Sequence, residues 1–256
     1  MSVLICPVCK EKLNTAGHSL RCCNNHSFDF SKEGYVNLLL GSKSGDKTGD
    51  SKESARSRHT FLEKGYYSCL KQYIVSKMSG TVLDICCGEG YYDDYEGTLY
   101  GFDISKEMVR LASKRNGSHT YFVANLSSIP VENECIDTAV HLFAPFNEKE
   151  FSRVLKNGGR LYCVVGGENH LWEMKQIVYN TPYKNDEQPP VTKKLKLVSK
   201  TKVTDKVCIN GEDLKTLFSM TPYYYRTSKE DKEKLDSVNT LDLTVDFTIF
   251  EFLKEE

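Results

Sequence analysis

The chain of 256 residues lacks any apolar run longer than a strand, so the sequence predicts no membrane-spanning helix and no membrane partner. Its first residues carry no basic stretch followed by an apolar core, and no secretory leader is expected. Net charge is nearly missing: 34 lysines and arginines face 35 aspartates and glutamates, giving −1 at pH 7. A nucleic-acid partner would have to meet a local basic patch, because the global field offers none. The same reading of the first residues argues against a disulfide scaffold. The ten cysteines then read as reduced thiols of a cytoplasmic protein, some of them metal-bound. Also absent is the Gly-x-Gly-x-x-Gly dinucleotide fingerprint. What remains, at 39% hydrophobic and 27% charged residues, suits one substantial domain and a small appendage.

In place of that fingerprint stands Val82-Leu83-Asp84-Ile85-Cys86-Cys87-Gly88-Glu89-Gly90. An apolar run closes on an acid and breaks into small residues, the grammar of a strand, a tight turn and a helix start. A second short run, Leu99-Tyr100-Gly101-Phe102-Asp103, closes on another acid. A carboxylate there can accept from both hydroxyls of a ribose. The turn resembles that of class I S-adenosylmethionine-dependent methyltransferases, which implies a Rossmann-like α/β sheet with helices on both faces. By that resemblance Gly88, Glu89 and Gly90 let backbone approach the cofactor, Asp84 positions its amino-acid end and Asp103 holds its ribose. Cys86 takes the place of the first glycine, which a small residue can fill if its φ is negative. Only Tyr91 to Thr98 separate this turn from the second run, too few for a normal helix plus loop.

Upstream, Cys6-Pro7-Val8-Cys9 is a CxxC knuckle, and Cys22-Cys23-Asn24-Asn25-His26 follows at knuckle-to-knuckle distance. Zinc takes four soft or borderline ligands in a tetrahedron, and three cysteines with one histidine supply them. A module this short buries too little surface to fold alone, so the metal would carry much of its stability. Leu13 and Leu20 flank a hairpin turn expected at Asn14-Thr15-Ala16-Gly17. Spacing alone leaves Cys22 and Cys23 as alternatives.

The run from Cys22 and His26 through Ser27-Phe28-Asp29-Phe30-Ser31-Lys32-Glu33-Gly34-Tyr35-Val36-Asn37-Leu38-Leu39 resembles the large-subunit ribosomal RNA guanine-N1 methyltransferases. Those have an N-terminal zinc finger and a class I methyltransferase domain. Their Cys-x3-His spacing implies Cys6, Cys9, Cys22 and His26 as ligands. Residues 1–40 would be the zinc module, 41–60 a flexible linker and 61–256 the methyltransferase domain. Gly49-Asp50-Ser51, Arg56, Arg58 and Phe61-Leu62-Glu63-Lys64-Gly65-Tyr66-Tyr67 also match family segments. They imply an RNA-clamping role for Arg56 and Arg58 and cofactor contact for Tyr67. Otherwise Tyr67 begins the apolar face of a helix from about 65 to 77, with Leu70, Tyr73, Ile74 and Met78 at helical period.

The middle of the chain alternates strand and helix, the pattern of a parallel sheet. Strands are expected near 81–86, 99–103, 120–124, 136–142 and 160–165, and helices near 105–115, 147–155 and 170–180. Ligands bind at the carboxyl ends of such strands. There Asn125 is placed to meet the adenine, while Phe143, Pro145 and Phe146 are placed to receive an extruded base by stacking. His170-Leu171-Trp172-Glu173-Met174-Lys175 matches a family segment, which implies that His170 lies near the cofactor. Lysines 193, 194, 196, 200, 202 and 206 crowd a β-rich stretch expected to pair with the final strand, Leu241 to Leu253.

The reading is therefore an S-adenosylmethionine-dependent rRNA guanine-N1 methyltransferase with zinc, acting on ribosomal RNA, and a homodimer by family habit. Its rivals are a methyltransferase for another substrate and a zinc-dependent RNA-binding protein with a degenerate cofactor pocket.

Overall fold

The computed structural model describes residues 2–41 and 52–255. Of the linker expected over 41–60, residues 42–51, with Gly49-Asp50-Ser51, lie outside the described residues. Residues 52–60 are not linker but helix, α1 (Lys52–Glu63). The helix forms because Ala55, Phe61 and Leu62 can be buried together against the main domain, which favours order over a polar tether.

Near the N-terminus, β1 (Asn14–Ala16), β2 (Ser19–Arg21) and β3 (Ser27–Asp29) make a three-stranded antiparallel sheet. The hairpin turns later than the sequence suggests. Asn14 to Ala16 pair as strand, and Gly17, at φ +61°, turns the chain with His18. A glycine takes that left-handed backbone without strain.

The main sheet has eight strands in the order β10-β11-β9-β8-β5-β6-β7-β4. Its parallel centre is β5 (Val82–Ile85), β6 (Leu99–Asp103), β7 (Thr120–Val123), β8 (Ile136–Leu142) and β9 (Leu155–Gly166). The long strands β10 (Leu195–Asn210) and β11 (Thr240–Lys254) pair antiparallel, as the sequence predicts, and β11 joins β9. The opposite edge is β4 (Val36–Asn37), lent by the N-terminal module and parallel to β7.

Helices α2 (Ser68–Lys77), α3 (Lys106–Arg115), α4 (Glu148–Val154), α5 (Trp172–Val178) and α6 (Gly211–Ser219) complete the frame. Ser105 caps α3 as expected, its hydroxyl accepting from the Met108 N–H at 3.4 Å. Strand alternation divides the core into two layers. Val82, Val140, Val164 and Ile249 pack with residues of α1, α2, α3, α5 and α6. Leu83, Phe102, Phe122 and Phe250 pack with α4 and with Leu4, Leu13 and Leu20 of the N-terminal module. The module thus covers part of one sheet face. No helix occurs between β5 and β6 among the described residues.

Candidate cofactor site and zinc centre

Cys6, Cys9, Cys22 and His26 converge, each offering a ligand atom within 4.8 Å of the others. Cys9 Sγ lies 3.6 Å from Cys22 Sγ, and His26 Nδ1 lies 3.6 Å from Cys6 Sγ and 3.3 Å from Cys22 Sγ. Four ligands at Zn–S and Zn–N bond lengths in a tetrahedron stand about 3.5 Å apart, so the donors fit the ion in kind and spacing. Cys23 is exposed and outside the group, which resolves the pair that spacing leaves open. The module is pinned to the main domain by backbone hydrogen bonds, from Ile5 N–H to the Pro130 carbonyl at 3.0 Å and from Glu132 N–H to the Val3 carbonyl at 2.9 Å.

The second candidate site is the turn after β5. Gly88 and Gly90 have φ of +55° and +69°. A Cβ on Gly88 would meet nothing within 4 Å, so open space lies above it. A Cβ on Gly90 would stand 3.0–3.1 Å from Asp93 Oδ2, Ala112 Cβ and the Tyr121 hydroxyl. Asp103 secures the turn: its Oδ2 accepts from Gly88 N–H at 3.1 Å and its Oδ1 from Ser105 N–H at 2.8 Å. Cys86 differs from expectation. Its φ is +59°, not negative, so a side chain occupies backbone that glycine would take without strain.

The carboxylate of Glu89 does not face this open space. It is buried and accepts from Arg115 Nη2 at 2.8 Å and meets His59 Nδ1 at 3.1 Å, tying α1 and α3 to the turn. What Glu89 brings to the turn is its backbone. Asp84 is 1% exposed, and its Oδ1 has no hydrogen-bond partner. Burial, with the nearby Asp93 and Asp103 carboxyls, holds the Asp84 carboxyl well above the usual range. Asn125 is exposed after β7 and spends its Oδ1 on the Ser127 N–H at 2.9 Å.

Tyr67 and His170 meet above β9 and β11. The Tyr67 hydroxyl lies 3.4 Å from His170 Nε2, and both rings pack on Phe247, at 4.9 and 4.8 Å between centroids. His170 Nδ1 accepts the Asp246 N–H at 3.2 Å. Burial pulls its pKa down to about 4, so the ring is neutral at pH 7 with both nitrogens engaged. Phe143, half exposed and left-handed at φ +56°, lies 5.9 Å from the same Phe247. Pro145 is exposed, and its carbonyl meets His141 Nε2 at 3.0 Å. Phe146 is not brought to Phe143. Its ring packs on Phe151, His141 and Phe252 in the other core layer, because the turn after β8 sends alternate residues to opposite faces. On α1, Arg56 is exposed and Arg58 half-buried.

Of three further residues in this region, Phe247 and Asp93 carry no sequence signal of their own. Phe247 reaches the site from β11 through pairing with Gly166. Asp93 lies in the short segment after the glycine turn. Lys175, 1% exposed, donates to Asn185 Oδ1 at 2.5 Å and to the Tyr183 carbonyl at 3.2 Å, with the Tyr183 and Tyr223 rings each 4.6 Å away. Burial brings its amine down to about 8. Its place at the end of the family segment His170 to Lys175 is the sequence signal for it.

Comparison with known proteins agrees with this geometry. Residues 4–41 match the RlmA N-terminal zinc-ribbon family, and residues 82–160 match a methyltransferase domain family. YxjB of Bacillus subtilis, a proposed 23S rRNA (guanine-N1) methyltransferase, is 28% identical over 97% of this chain and 96% of its own. The 23S rRNA (guanine(748)-N(1))-methyltransferase of Streptomyces fradiae is 31% identical over 67% of this chain and 66% of its own. A chain from the complex of the Haloferax volcanii Trm112 methyltransferase activator with a methyltransferase superposes at TM-score 0.50 and 17% identity. It covers 82% of this chain and all of that one. The domain around the turn is an S-adenosylmethionine-dependent methyltransferase domain, and the N-terminal module is a zinc ribbon. No helix among the described residues is long and apolar enough to cross a membrane.

Proposed function

We propose that this chain, which belongs to the family of large-subunit rRNA guanine-N1 methyltransferases, transfers a methyl group to N1 of a guanine in 23S rRNA. The observation that carries the reading is likeness over nearly the whole length to YxjB, ribbon and methyltransferase domain together. A small-molecule enzyme would need the second without the first.

S-adenosylmethionine supplies an electrophilic methyl on a sulfonium, so the protein's task is mainly alignment and exclusion of water. Asp103 and the Gly88–Gly90 backbone hold the cofactor's ribose and chain, and Asn125 its adenine. Tyr67, His170 and Phe247 form the apolar wall beside it. Phe143 offers an exposed ring on which an unstacked guanine can lie, with Pro145 beside it. Guanine N1 carries a proton near neutral pH that must leave before or during transfer. Arg56 and Arg58 on α1 would meet the RNA backbone.

Far from Phe143, at the amino ends of β8 and β9, a groove of about 890 Å³ is lined by Lys149, Arg153, Lys193, Lys194, Lys196 and Lys254 together with Glu134 and Glu255, which pair with Lys254 and Lys196. The cytoplasm, and a homodimer after the family's habit, belong to the same proposal.

Labelled methyl transfer to unmethylated large-subunit rRNA tests it, read by reverse transcription. The expected result is one new stop at a guanine, because an N1 methyl blocks the Watson–Crick edge. Incorporation without a stop would place the methyl on another atom and reject the N1 assignment.

A further inference from the structure

The cofactor turn contains a carboxyl pair that its known geometry does not require. Asp93 is 0% exposed and Asp84 1%, each leaves its Oδ1 without a hydrogen-bond partner, and the two carboxyls are near enough to raise one another's electrostatic cost. Two neighbouring carboxyls this deeply buried, with no cation beside them, do not both ionise, so one of them carries a proton. Asp93 Oδ2 also accepts from the Tyr121 hydroxyl at 2.8 Å. That hydroxyl gets there because Gly101 has no side chain, since a Cβ would stand 2.6 Å from the Tyr121 ring.

The groups around the pair include little positive charge. Asp84 faces Asp103 on β6. Near both lies the Cys87 side chain, and Tyr92 and Cys86 lie near Asp84. His119, just before β7, sets its Nε2 3.0 Å from the Asp93 carbonyl, and Asp94 turns out to pair with Lys71. Burial raises both carboxyls above their usual range. Buried acids without a cation partner are costly, and a site that keeps them is suited to receive a cation.

We infer that Asp93 is a second carboxyl of the cofactor site, sharing one proton with Asp84 in the free protein and losing that proton to solvent when the ammonium of S-adenosylmethionine binds. The balance is simple: a carboxyl–carboxylate pair plus a ligand ammonium becomes two carboxylates facing that ammonium, plus a proton released. Asp93 is then a positioning residue supplied by the short connection itself, in the stretch where a helix is missing. The inference rests on the assignment of this domain to S-adenosylmethionine.

Calorimetry of the full chain separates the two. S-adenosylhomocysteine, which keeps the ammonium and cannot react, is titrated at pH 7 in buffers of different ionisation enthalpy. The apparent enthalpy is expected to report release of about one proton. 5′-Methylthioadenosine, which lacks the amino-acid end, should bind with none. In Asp93→Asn the proton release should vanish and the affinity for S-adenosylhomocysteine should fall on the order of tenfold, while that for 5′-methylthioadenosine stays within about twofold. Binding of S-adenosylhomocysteine without proton release, or unchanged release in Asp93→Asn, overturns this inference and leaves the cofactor assignment standing. No binding of either ligand overturns both. If the variant fails to fold, the contrast between the two ligands on the unaltered chain decides.

Discussion

The zinc ribbon and the glycine turn both gather polar side chains where a cation belongs, and they do it differently. In the ribbon all four donors come from two short knuckles, and nothing but local spacing is needed to bring Cys6, Cys9, Cys22 and His26 within 4.8 Å. In the turn the acids come from three segments, Asp84 on β5, Asp93 in the connection and Asp103 on β6, and only the parallel pairing of β5 with β6 assembles them. The ribbon has thiols that a metal deprotonates. The turn has carboxyls that share a proton until something positive arrives. A metal site is written locally, whereas an electrostatic site is written in the fold.

Breaking the ribbon should have the largest effect. Structural zinc binding is worth on the order of 10 kcal/mol in small modules, and here β4 and the Leu4, Leu13 and Leu20 side chains depend on it. Chelation, or Cys22→Ser, should empty the metal by elemental analysis and unfold residues 2–41. Strand β7 would become a sheet edge, so amide exchange over Thr120–Val123 should accelerate by orders of magnitude. Unchanged exchange after metal loss would mean that the ribbon is an ornament on the domain.

The wall beside the turn should respond to pH. An unfolded histidine titrates near its ordinary 6.5, while burial holds His170 and His141 at about 4 in the folded protein. Between those values the unfolded chain binds more protons, so stability is full above 6.5 and falls as pH drops toward 4. For His170 the shift corresponds to about 3 kcal/mol. The Asp84–Asp93 pair acts in the opposite sense, because its raised carboxyls bind protons more readily when folded. Comparison of urea melts for the unaltered chain and His170→Gln isolates the histidine. The fall between pH 6.5 and 4.5 should be shallower in the variant, and parallel curves would show that His170 is not buried as a neutral ring.

The same contrast explains what could be read beforehand. The ribbon ligands were legible because a knuckle is a local signal, and Asp84 and Asp103 because strands ending in acids are. The parallel core strands were legible from short apolar runs between helical patterns. Phe247 was not, since it reaches Tyr67 through the register of β11 against β9, seventy-seven residues after His170 in sequence. Phe146 looked like a partner of Phe143, but three residues through a turn with a left-handed start place the rings in different layers. The helical α1 was hidden because its polar sequence becomes helix only when Phe61 and Leu62 find the core. Asp93 was hidden for the opposite reason: it stands in a segment that attracted notice only for being short.

Within the turn, two glycines should behave unlike each other. Gly90→Ala puts a Cβ against Asp93, Ala112 and Tyr121 at positive φ, and should destabilise by about 2 kcal/mol. Gly88→Ala has room around the Cβ, so only backbone strain of about 1 kcal/mol applies. That methyl instead occupies space proposed for the cofactor, and S-adenosylhomocysteine binding should weaken at least tenfold. Equal melting losses with equal affinities would remove the distinction between a glycine needed by packing and one needed by ligand.

The smallest effect sharpens the point most. Cys86 is left-handed at φ +59°, and a side chain there costs about 1–2 kcal/mol of backbone strain. Replacing it by glycine relieves that strain, but the freer unfolded chain takes back about 0.4–1 kcal/mol, and some contact of the half-buried thiol with the second core layer is lost. The terms nearly offset, leaving Cys86→Gly neutral or stabilised by less than about 1 kcal/mol. Cys86→Ala keeps the strain and loses the sulfur, so it should melt below Cys86→Gly. That order, read from urea midpoints at pH 7, identifies the backbone as the reason glycine suits this turn. The reverse order would show that the thiol's packing outweighs the strain, and that the turn is shaped by its side chains after all.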